Sequence, residues 1–350
     1  MAGSGQTAPR ADVGRDVEFG VLVPLGWRGE LDGLTPDTPW ERLRHLAILA
    51  EDLGLDSVWV SDHVMAVPGA PAGVDVFECW SVASALATAT TRVRLGQLAT
   101  CAVLRPPALT AKITACIDVM SGGRLEWGVG AGWHAAEALA YGYEFPGPAE
   151  RIAALAEHVE VVRRLWTEPT VTYDGAHHQV HGAQCDPKPV QRPHPPVLVA
   201  GSGPRRTLRV VAHAADRANW GGDPESFAAT AAVLHAHCDD VGRDPGAIDL
   251  TWGGELFIRD RPSDLRTLWQ GAALAHDSFD AWSERSLVGS PEYVAAKMVA
   301  LIDAGCRAFI PWCHDFPAAT TLRRYAEEVV PLVRGALRAD VTTSHRRARR

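Results

Sequence analysis

Two parts of the chain hold the residue types best suited to catalysis. Asp62 and His63 follow the apolar run Ser57 to Val60, and histidine is the side chain that most readily moves a proton near neutral pH. Adjacent residues on an extended segment face opposite ways, so Asp62 need not contact His63. His63 is the candidate catalytic residue. The alternatives are a loop histidine and a helix-capping aspartate without a catalytic role.

The second part is the stretch 123–137, which reads GRLEWGVGAGWHAAE and predicts a strand, a glycine turn and a helix. Glycines allow main-chain N–H groups to approach a flat or anionic ligand where a β-carbon would block access. The dinucleotide fingerprint G-x-G-x-x-G fails, because Trp133 stands where its last glycine is required. The stretch is a candidate cofactor shelf, and an ordinary tight turn is the alternative.

A second glycine turn, Gly201-Ser202-Gly203, comes directly before Pro204 and a predicted helix. Free N–H groups and the positive end of a helix dipole can face a phosphate at such a turn. We therefore interpret it as a candidate phosphate site.

Other chemistries find little support in the sequence. His177, His178 and His181 lack a carboxylate or cysteine at ligand spacing, so we expect surface histidines and no metal site. No G-x-S-x-G motif is present to place a serine nucleophile. The seven cysteines are odd in number and never occur as C-x-x-C, which argues against a disulfide framework and a zinc ribbon.

Composition excludes further classes of partner. The 350 residues carry a net charge of −8 and no basic stripe, so we expect no nucleic-acid partner. No apolar run is long enough to span a bilayer, and residues 1–16 lack the apolar region of a signal peptide. We expect a cytoplasmic protein without membrane contact.

Strand and helix patterns alternate along the chain. Eight apolar runs of strand length are each followed by helical periodicity, and they lie at 17–23, 57–60, 93–99, 124–129, 195–201, 215–220, 248–258 and 308–312. This rhythm predicts a (β/α)8 TIM barrel, with a doubly wound open sheet as the alternative. Because the carboxyl ends of barrel strands share one rim, His63 and both glycine turns should converge there.

We predict one barrel domain at 17–338, after a disordered lead at 1–16 and before a basic disordered tail at 339–350. Two insertions interrupt the rhythm. The segment 170–195 predicts a β-hairpin with Asp174-Gly175 at its turn, and 259–289 predicts a segment that carries helix.

Several motifs together resemble the bacterial luciferase-like superfamily of flavin and deazaflavin barrels, and most closely its F420-dependent oxidoreductases from actinobacteria. The resemblance extends from about Phe19 to Leu337. It rests on SVWVSDH at 57–63, LGQLATCAVLRPPALTAK at 95–112, SGGRLEWGVGAGW at 121–133, YGYEFP at 141–146, PKPVQRPHPPVLVAGSG at 187–203 and DAGCRAFI at 303–310.

The resemblance implies that coenzyme F420, a 5-deazaflavin, lies across the strand ends. It also implies a non-proline cis peptide around Gln97 to Ala99 with the ring against it, a phosphate near Gly201 to Gly203, and proton transfer by His63. The cofactor-binding residues implied in this way are Asp62, Gln97, Leu98, Thr100, Gly130, Gly132, Trp133, Gly201, Ser202 and Gly203.

The chain departs from the sugar-phosphate dehydrogenases that it resembles at one informative position. Those relatives carry a catalytic glutamate where this chain has Trp133, and the chain has only three lysines with which to line a sugar-phosphate pocket. We therefore expect a small, largely apolar organic substrate. The candidate substrate-binding residues are Trp27, His134 and Trp220, and the three tryptophans Trp27, Trp133 and Trp220 would form an aromatic wall.

The leading hypothesis is hydride transfer between F420 and the substrate, with His63 moving the accompanying proton. The alternative is an FMN-dependent, two-component monooxygenase. A non-catalytic flavin-binding protein is the third hypothesis, and the ionisable groups Asp62, His63 and His134 on the rim disfavour it. The resemblance further implies a homodimer, and both enzyme hypotheses allow for a flavin or F420 reductase as a partner.

Overall fold

Parallel strands close into a barrel in the computed structural model, which describes residues 17–34, 38–68, 70, 73–271 and 278–348, with side chains described up to residue 339. The strands of this part of the chain are β1 (Glu18–Leu22), β2 (Ser57–Val60), β3 (Arg94–Gln97), β4 (Thr100–Cys101), β5 (Leu125–Gly130), β6 (Val171–Asp174), β7 (Gln179–Ala183), β8 (Val197–Ala200), β9 (Arg217–Trp220), β10 (Asp249–Ile258), β11 (Leu287–Gly289) and β12 (Cys306–Cys313).

Helices surround the strands on the outside. They are α1 (Pro39–Asp52), α2 (Cys79–Ala89), α3 (Pro107–Ser121), α4 (Ala135–Ala140), α5 (Pro148–Thr167), α6 (Thr207–Ala214), α7 (Pro224–Val241), α8 (Pro262–Gly271), α9 (Phe279–Arg285), α10 (Pro291–Asp303), α11 (Thr320–Arg324) and α12 (Val330–Ala348). A π-helical turn at Tyr325–Val329 joins α11 to α12. No helix among the described residues is both long enough and apolar enough to cross a membrane.

The eight barrel strands are β1, β2, β3, β5, β8, β9, β10 and β12, and each pairs in parallel with the next. β12 then pairs with β1, where Phe309 stands opposite Phe19. This last pairing closes the sheet on itself, so the prediction of a (β/α)8 barrel is confirmed and the open doubly wound sheet is excluded.

Local sequence signals set several helix ends. Thr38 and Glu41 form a reciprocal capping box at the start of α1. Asp223 accepts hydrogen bonds from the first N–H groups of α7. Gly122 and Gly242 end α3 and α7 in the left-handed conformation that glycine adopts without steric cost.

A polar network closes the barrel at the amino-terminal ends of its strands. Nη1 of Arg217 donates to Oε2 of the buried Glu126 at 2.8 Å, and the same guanidinium binds Glu18. Arg94 also donates to Glu126. The network joins β1, β3, β5 and β9 at the end of the barrel opposite the rim where we expect the chemistry.

The third barrel strand is interrupted where the sequence predicts one strand at 93–99. β3 ends at Gln97, the peptide bond between Leu98 and Ala99 is cis, and β4 then pairs with β5. The non-proline cis peptide agrees with the expectation drawn from the resemblance. A β-carbon on Gly128 would lie 1.8 Å from the carbonyl oxygen of Gln97, so only glycine allows β5 to pass this close.

Both predicted insertions carry regular structure. β6 and β7 form an antiparallel hairpin, and the loop at Gly175 lies at its turn. The segment 259–289 holds α8, α9 and β11, and its residues 272–277 lie outside the described residues, as does the predicted lead at 1–16. α12 continues to Ala348, across most of the range predicted as a disordered tail, because no glycine or proline interrupts the chain after Gly335.

Candidate active site

The imidazole of His63 lies beside the carboxylate of Glu137 at the carboxyl end of β2. Nδ1 of His63 is 3.1 Å from Oε2 and 3.3 Å from Oε1 of Glu137. A carboxylate only accepts hydrogen bonds, so Nδ1 carries the proton and donates it. Nε2 has no hydrogen-bond partner within the part of the chain that the structure describes, which leaves this nitrogen available to a substrate.

Glu137 is held in place by its own helix and by the loop after β2. Its carboxylate accepts hydrogen bonds from the main-chain N–H groups of Val64 at 2.7 Å and Met65 at 3.2 Å. Burial raises the pKa of Glu137, but the hydrogen bond and charge of His63 and the two N–H groups outweigh burial and hold this pKa below its usual value. Glu137 therefore stays ionised and fixes the tautomer and orientation of His63.

Trp27, in the loop after β1, stacks on His63 with ring centroids 4.2 Å apart and planes 15° apart. Arg28 lies over the same indole, 4.9 Å from its centroid, and over Trp312 at 5.1 Å. Nη1 of Arg28 donates to Oε1 of Glu255 at 2.8 Å. The Arg28–Glu255 pair thus ties the loop after β1 to β10 and holds Trp27 against His63.

Trp133 and His134 complete an aromatic surface around His63. They stack on each other with centroids 5.0 Å apart, and they approach His63 edge-on at 5.7 Å and 6.4 Å. Trp133 is 63% exposed, which is unusual for an indole in a folded protein. The structure therefore brings three predicted residues, Trp27, Trp133 and His134, to His63.

Asp62 is turned away from His63 into a buried ion pair. Its carboxylate accepts hydrogen bonds from the main-chain N–H of Cys101 at 2.9 Å and from both terminal nitrogens of Arg105. Arg105 also donates to Glu78 at 2.6 Å. Asp62, Glu78 and Cys79 lie close enough together to hold a metal ion, but the Arg105 guanidinium already binds both carboxylates. Asp62 thus holds the β4 segment, and its contact with a cofactor ring remains a prediction.

Gly130 and Gly132 keep the rim beside the cis peptide free of side chains. A β-carbon on Gly130 would lie 3.7 Å from both the carbonyl oxygen of Ala200 and the β-carbon of Ala99. A β-carbon on Gly132, whose φ is +77°, would lie 2.8 Å from Sγ of Cys101. A larger residue at Gly130 would enter the space between β5, β8 and the cis peptide, and one at Gly132 would clash with β4.

Gln97 and Thr100 are buried on either side of the cis peptide. Both amide atoms of Gln97 and Oγ1 of Thr100 lack hydrogen-bond partners among the described residues. Gly96 and Leu98 pack against Trp59 inside the barrel, so alternation along β3 turns the Gln97 side chain toward the helices. The main chain, and not the side chain of Gln97, is therefore what this strand presents to the rim, and cofactor binding at Gln97 remains a prediction.

The turn Gly201-Ser202-Gly203 joins β8 to α6 on the same rim. Gly201 has φ +126°, and a β-carbon on Gly203 would lie 2.7 Å from Oγ1 of Thr207. Ser202 is exposed, and α6 begins without a side-chain cap. The N–H of Gly201 donates to the carbonyl of Asn219 at 2.9 Å, and the carbonyl of Gly203 accepts from the N–H of Leu208. Phosphate binding by the N–H groups of Ser202 and Gly203 remains a prediction.

Comparison with known families decides how this fold is classified. Residues 17–273 match the family described as luciferase-like monooxygenase. The chain belongs to this family. The matched range includes seven of the eight barrel strands and every segment that contributes Trp27, His63, Glu137 or the glycine turns. The resemblance drawn from the motifs is therefore confirmed at the level of the family.

Individual relatives of this luciferase-like protein include F420-dependent enzymes and monooxygenases. It is 28% identical over 344 residues to an F420-dependent glucose-6-phosphate dehydrogenase of Kineococcus radiotolerans, covering 90% of this chain and 98% of that one. An F420-dependent secondary alcohol dehydrogenase solved with an F420-acetone adduct has a TM-score of 0.77 at 22% identity, over 91% and 99% of the two chains. An EDTA monooxygenase from Chelativorans sp. BNC1 has a TM-score of 0.76 at 16% identity, over 92% and 94%.

Trp220 does not reach the mouth of this luciferase-like barrel, which corrects its prediction as a substrate-binding residue. It is 4% exposed at the end of β9 and packs against Phe227 of α7, with ring centroids 5.1 Å apart. Its neighbour Asn219 faces inward, where Nδ2 donates to Oγ1 of Thr251 at 2.8 Å. Because side chains alternate along a strand, Trp220 faces the helices where Asn219 faces the barrel interior. The aromatic surface beside His63 therefore includes Trp27 and Trp133 and not Trp220.

Sequence reasoning missed Glu137, Arg28 and Glu255 as members of the site. Glu137 is 74 positions from His63, and Glu255 is 227 positions from Arg28, so no local spacing connects either pair. For Glu137 a weak signal was present, because it is an acidic residue in the first turn of the helix that follows the glycine shelf. The resemblance implies an acid at the position of Trp133, and the structure places the acidic residue Glu137 beside His63.

Proposed function

We propose that this luciferase-like protein is an F420-dependent oxidoreductase that transfers a hydride between the coenzyme and a small organic substrate. The observation that carries the proposal is His63, which has Glu137 on one ring nitrogen and no partner on the other, at a rim with two glycine turns. The F420-dependent dehydrogenase that aligns with nearly the whole chain supports the choice of coenzyme.

The residues at the rim fit a deazaflavin. Buried polar atoms without partners among the described residues occur in the segments that follow β1, β2, the cis peptide and β5, and they include Nε1 of Trp27, Oγ of Ser61, Oγ1 of Thr100 and Nε2 of His134. A ring system with carbonyl and N–H groups would satisfy groups of this kind. Main chain at Leu98, Ala99, Gly130 and Gly132 would hold the ring, and the turn at 201–203 would hold the phosphate.

When bound, the coenzyme supplies a deazaflavin C5 that accepts or donates a hydride. His63 would hold the proton that accompanies the hydride, at Nε2, and exchange it with a hydroxyl or carbonyl oxygen of the substrate. Glu137 would stabilise the positive charge on the imidazole while that proton is present. Trp27 would keep the imidazole plane fixed by stacking, and Arg28 would hold Trp27.

Trp133 supports a substrate with an apolar or aromatic body. Its exposed indole adjoins His134 and His63, and an exposed aromatic face excludes water and orients an apolar ligand. The same position carries no acid, and none of the three lysines lies among the rim residues described above. These observations favour a substrate without a phosphate group.

Cofactor titration tests the proposal. Purified protein is titrated with F420 and with FMN while tryptophan fluorescence is followed, and the reduced cofactor is then assayed with and without dioxygen. We expect tight F420 binding and turnover that does not need dioxygen. Tight FMN binding with dioxygen-dependent turnover would establish the monooxygenase instead. Binding without turnover on a panel of alcohols, aldehydes and ketones would establish a flavin-binding protein.

The proposal also covers domain organisation, cellular location, oligomeric state and redox partner. We propose a single barrel domain at 17–338, a cytoplasmic location, a homodimer and a flavin or F420 reductase as redox partner. Sedimentation of the purified protein measures the oligomeric state, and a single dimer species is the expected result. A coupled assay with an F420 reductase measures whether reduced coenzyme is handed to this enzyme.

A further inference from the structure

A groove runs along the outside of the barrel between α5 and α6, next to the turn at 201–203. Its volume is about 1080 Å³. Its floor is made by small and apolar side chains of α5, among them Ile152, Ala153 and Ala156. The lining reaches from Ala149 to Thr167, which is roughly 27 Å along the helix axis at 1.5 Å per residue.

Arginines dominate the α6 side of this groove. Arg205, Arg206 and Arg209 line it, all three are exposed, and their guanidiniums make no hydrogen bond or ion pair among the described residues. Arg205 and Arg206 come directly after Gly203-Pro204, so the unpaired guanidiniums begin where the predicted phosphate site ends. This concentration of positive charge is notable in a protein whose net charge is −8.

The acidic and basic groups of α5 in the groove are already engaged. Glu157 accepts hydrogen bonds from three main-chain N–H groups of the β6–β7 loop, each at 2.9 Å. Arg164 is paired with Glu168, and Nε of Arg163 donates to Nε2 of His194 at 3.2 Å. Glu160 also lines the groove and accepts a hydrogen bond from the hydroxyl of Tyr173 at 3.4 Å. The lining holds five arginines and two glutamates, so the groove carries a net positive charge over an apolar floor.

We propose that this groove binds the anionic tail of the cofactor. F420 continues beyond its phosphate as a chain of γ-linked glutamates, which combines carboxylates with methylene groups. The carboxylates would pair with Arg205, Arg206 and Arg209, and the methylenes would lie on the α5 floor. This inference rests on the proposed function, since it assigns a place to a part of the same coenzyme.

The test compares three ligands by tryptophan fluorescence: F420 with a long oligoglutamate tail, F420 with a short one, and the deazaflavin truncated before its phosphate. We expect the wild-type protein to bind the long-tailed form about tenfold more tightly than the short-tailed form, with the difference shrinking as salt is added. The triple variant Arg205→Gln, Arg206→Gln, Arg209→Gln should lose this preference and keep its affinity for the truncated deazaflavin.

A matched control removes the same charge elsewhere. Arg261, Arg266 and Arg323 are exposed and lie on α8, α11 and the loop before α8, and their replacement by glutamine should leave the tail preference intact. Equal affinity of the wild-type protein for the two tail lengths would contradict tail binding in the groove and would leave the proposed F420-dependent function unaffected. A preference that survives the groove variant would place the tail elsewhere. Failure of all three deazaflavins to bind would remove the proposed function itself.

Discussion

His63 is the residue on which the proposed chemistry depends. With Nδ1 held by Glu137 and Nε2 without a protein partner, it is placed to exchange a proton with a substrate. We predict that His63→Ala lowers turnover by about 100-fold or more, since general acid–base catalysis contributes about that factor. The cofactor dissociation constant should change by no more than about threefold. His181→Ala, in the exposed hairpin, is the control, and an unchanged rate in His63→Ala would remove this residue from the mechanism.

Glu137 acts through His63 and is a positioning residue. We predict that Glu137→Gln lowers kcat about tenfold, the lower end of the range for partners that orient a reacting group, because an amide cannot stabilise a charged imidazole. KM should be unchanged, since the amide oxygen still accepts from Val64 and keeps the loop ordered. Steady-state kinetics separates the two constants. A loss confined to KM, or a loss of folded protein, would contradict the positioning role.

Two tryptophans that the sequence places in one aromatic wall should respond to mutation in opposite ways. Trp133 is exposed beside His63, so Trp133→Leu should raise KM for an apolar substrate and leave the free energy of unfolding unchanged. Trp220 is buried against Phe227, so Trp220→Leu should cost about 3 kcal/mol of unfolding free energy and leave KM unchanged. Substrate kinetics and urea denaturation of both variants test the pair. A KM effect from Trp220→Leu would return that residue to the site.

At the scale of elements, α5 carries a buried histidine that couples stability to pH. His158 stacks near Trp127, and neither ring nitrogen has a hydrogen-bond partner among the described residues. Burial, assisted by the nearby His178, lowers the pKa of His158 to about 3. The unfolded chain therefore binds a proton that the native state rejects once the pH falls below the usual value for histidine, about 6.5.

We predict that the unfolding free energy falls by about 1.4 kcal/mol for each pH unit of acidification from about 6.5 toward 3 on account of this residue. Above that range the contribution is constant. His158→Phe should remove this part of the pH dependence and keep the stacking on Trp127. Urea denaturation over a pH series measures it, with the exposed His177→Phe as the control. Identical pH dependence in wild type and His158→Phe would contradict the assignment.

At the scale of the whole molecule, the Arg217 network and the candidate active site lie at opposite ends of the barrel. The Arg217 network joins four strands at the amino-terminal end, whereas His63, Glu137 and the glycine turns lie at the carboxyl end. We predict that Arg217→Met lowers the unfolding free energy by about 3 kcal/mol, because Glu126 is buried and loses a charged partner. Turnover per folded molecule should not change.

The double variant Arg217→Met, Glu126→Gln provides the control for this prediction. In Arg217→Met the buried Glu126 keeps only Arg94 as a charged partner, so removing its charge together with the arginine should recover part of the lost stability, which a pair of denaturation curves measures. Weakened cofactor binding in Arg217→Met at temperatures where the protein is folded would show that the two ends of the barrel are coupled.

The sequence by itself determined the barrel, its eight strands and the family. Local hydrophobic periodicity predicts the strands and helices. Caps such as Thr38 and Asp223 bind main-chain N–H groups two or three residues away, so these features do not depend on distant residues. The rim was predictable for the same reason, since the carboxyl ends of parallel strands meet wherever the strands are correctly assigned. His63, Trp27, Trp133 and His134 were all found in this way.

Only the tertiary structure decided which side chains touch. Contacts between residues far apart in sequence depend on the register and twist of the closed barrel, which local patterns do not encode. Only the folded chain shows that Glu137 contacts His63, that Glu255 contacts Arg28 and that Arg105 contacts Asp62. It also shows that Trp220 is buried in the core, because alternation along β9 turns its side chain away from the barrel interior. The sequence predicted His63 as the proton-transfer residue, and the fold placed the carboxylate of Glu137 on its Nδ1.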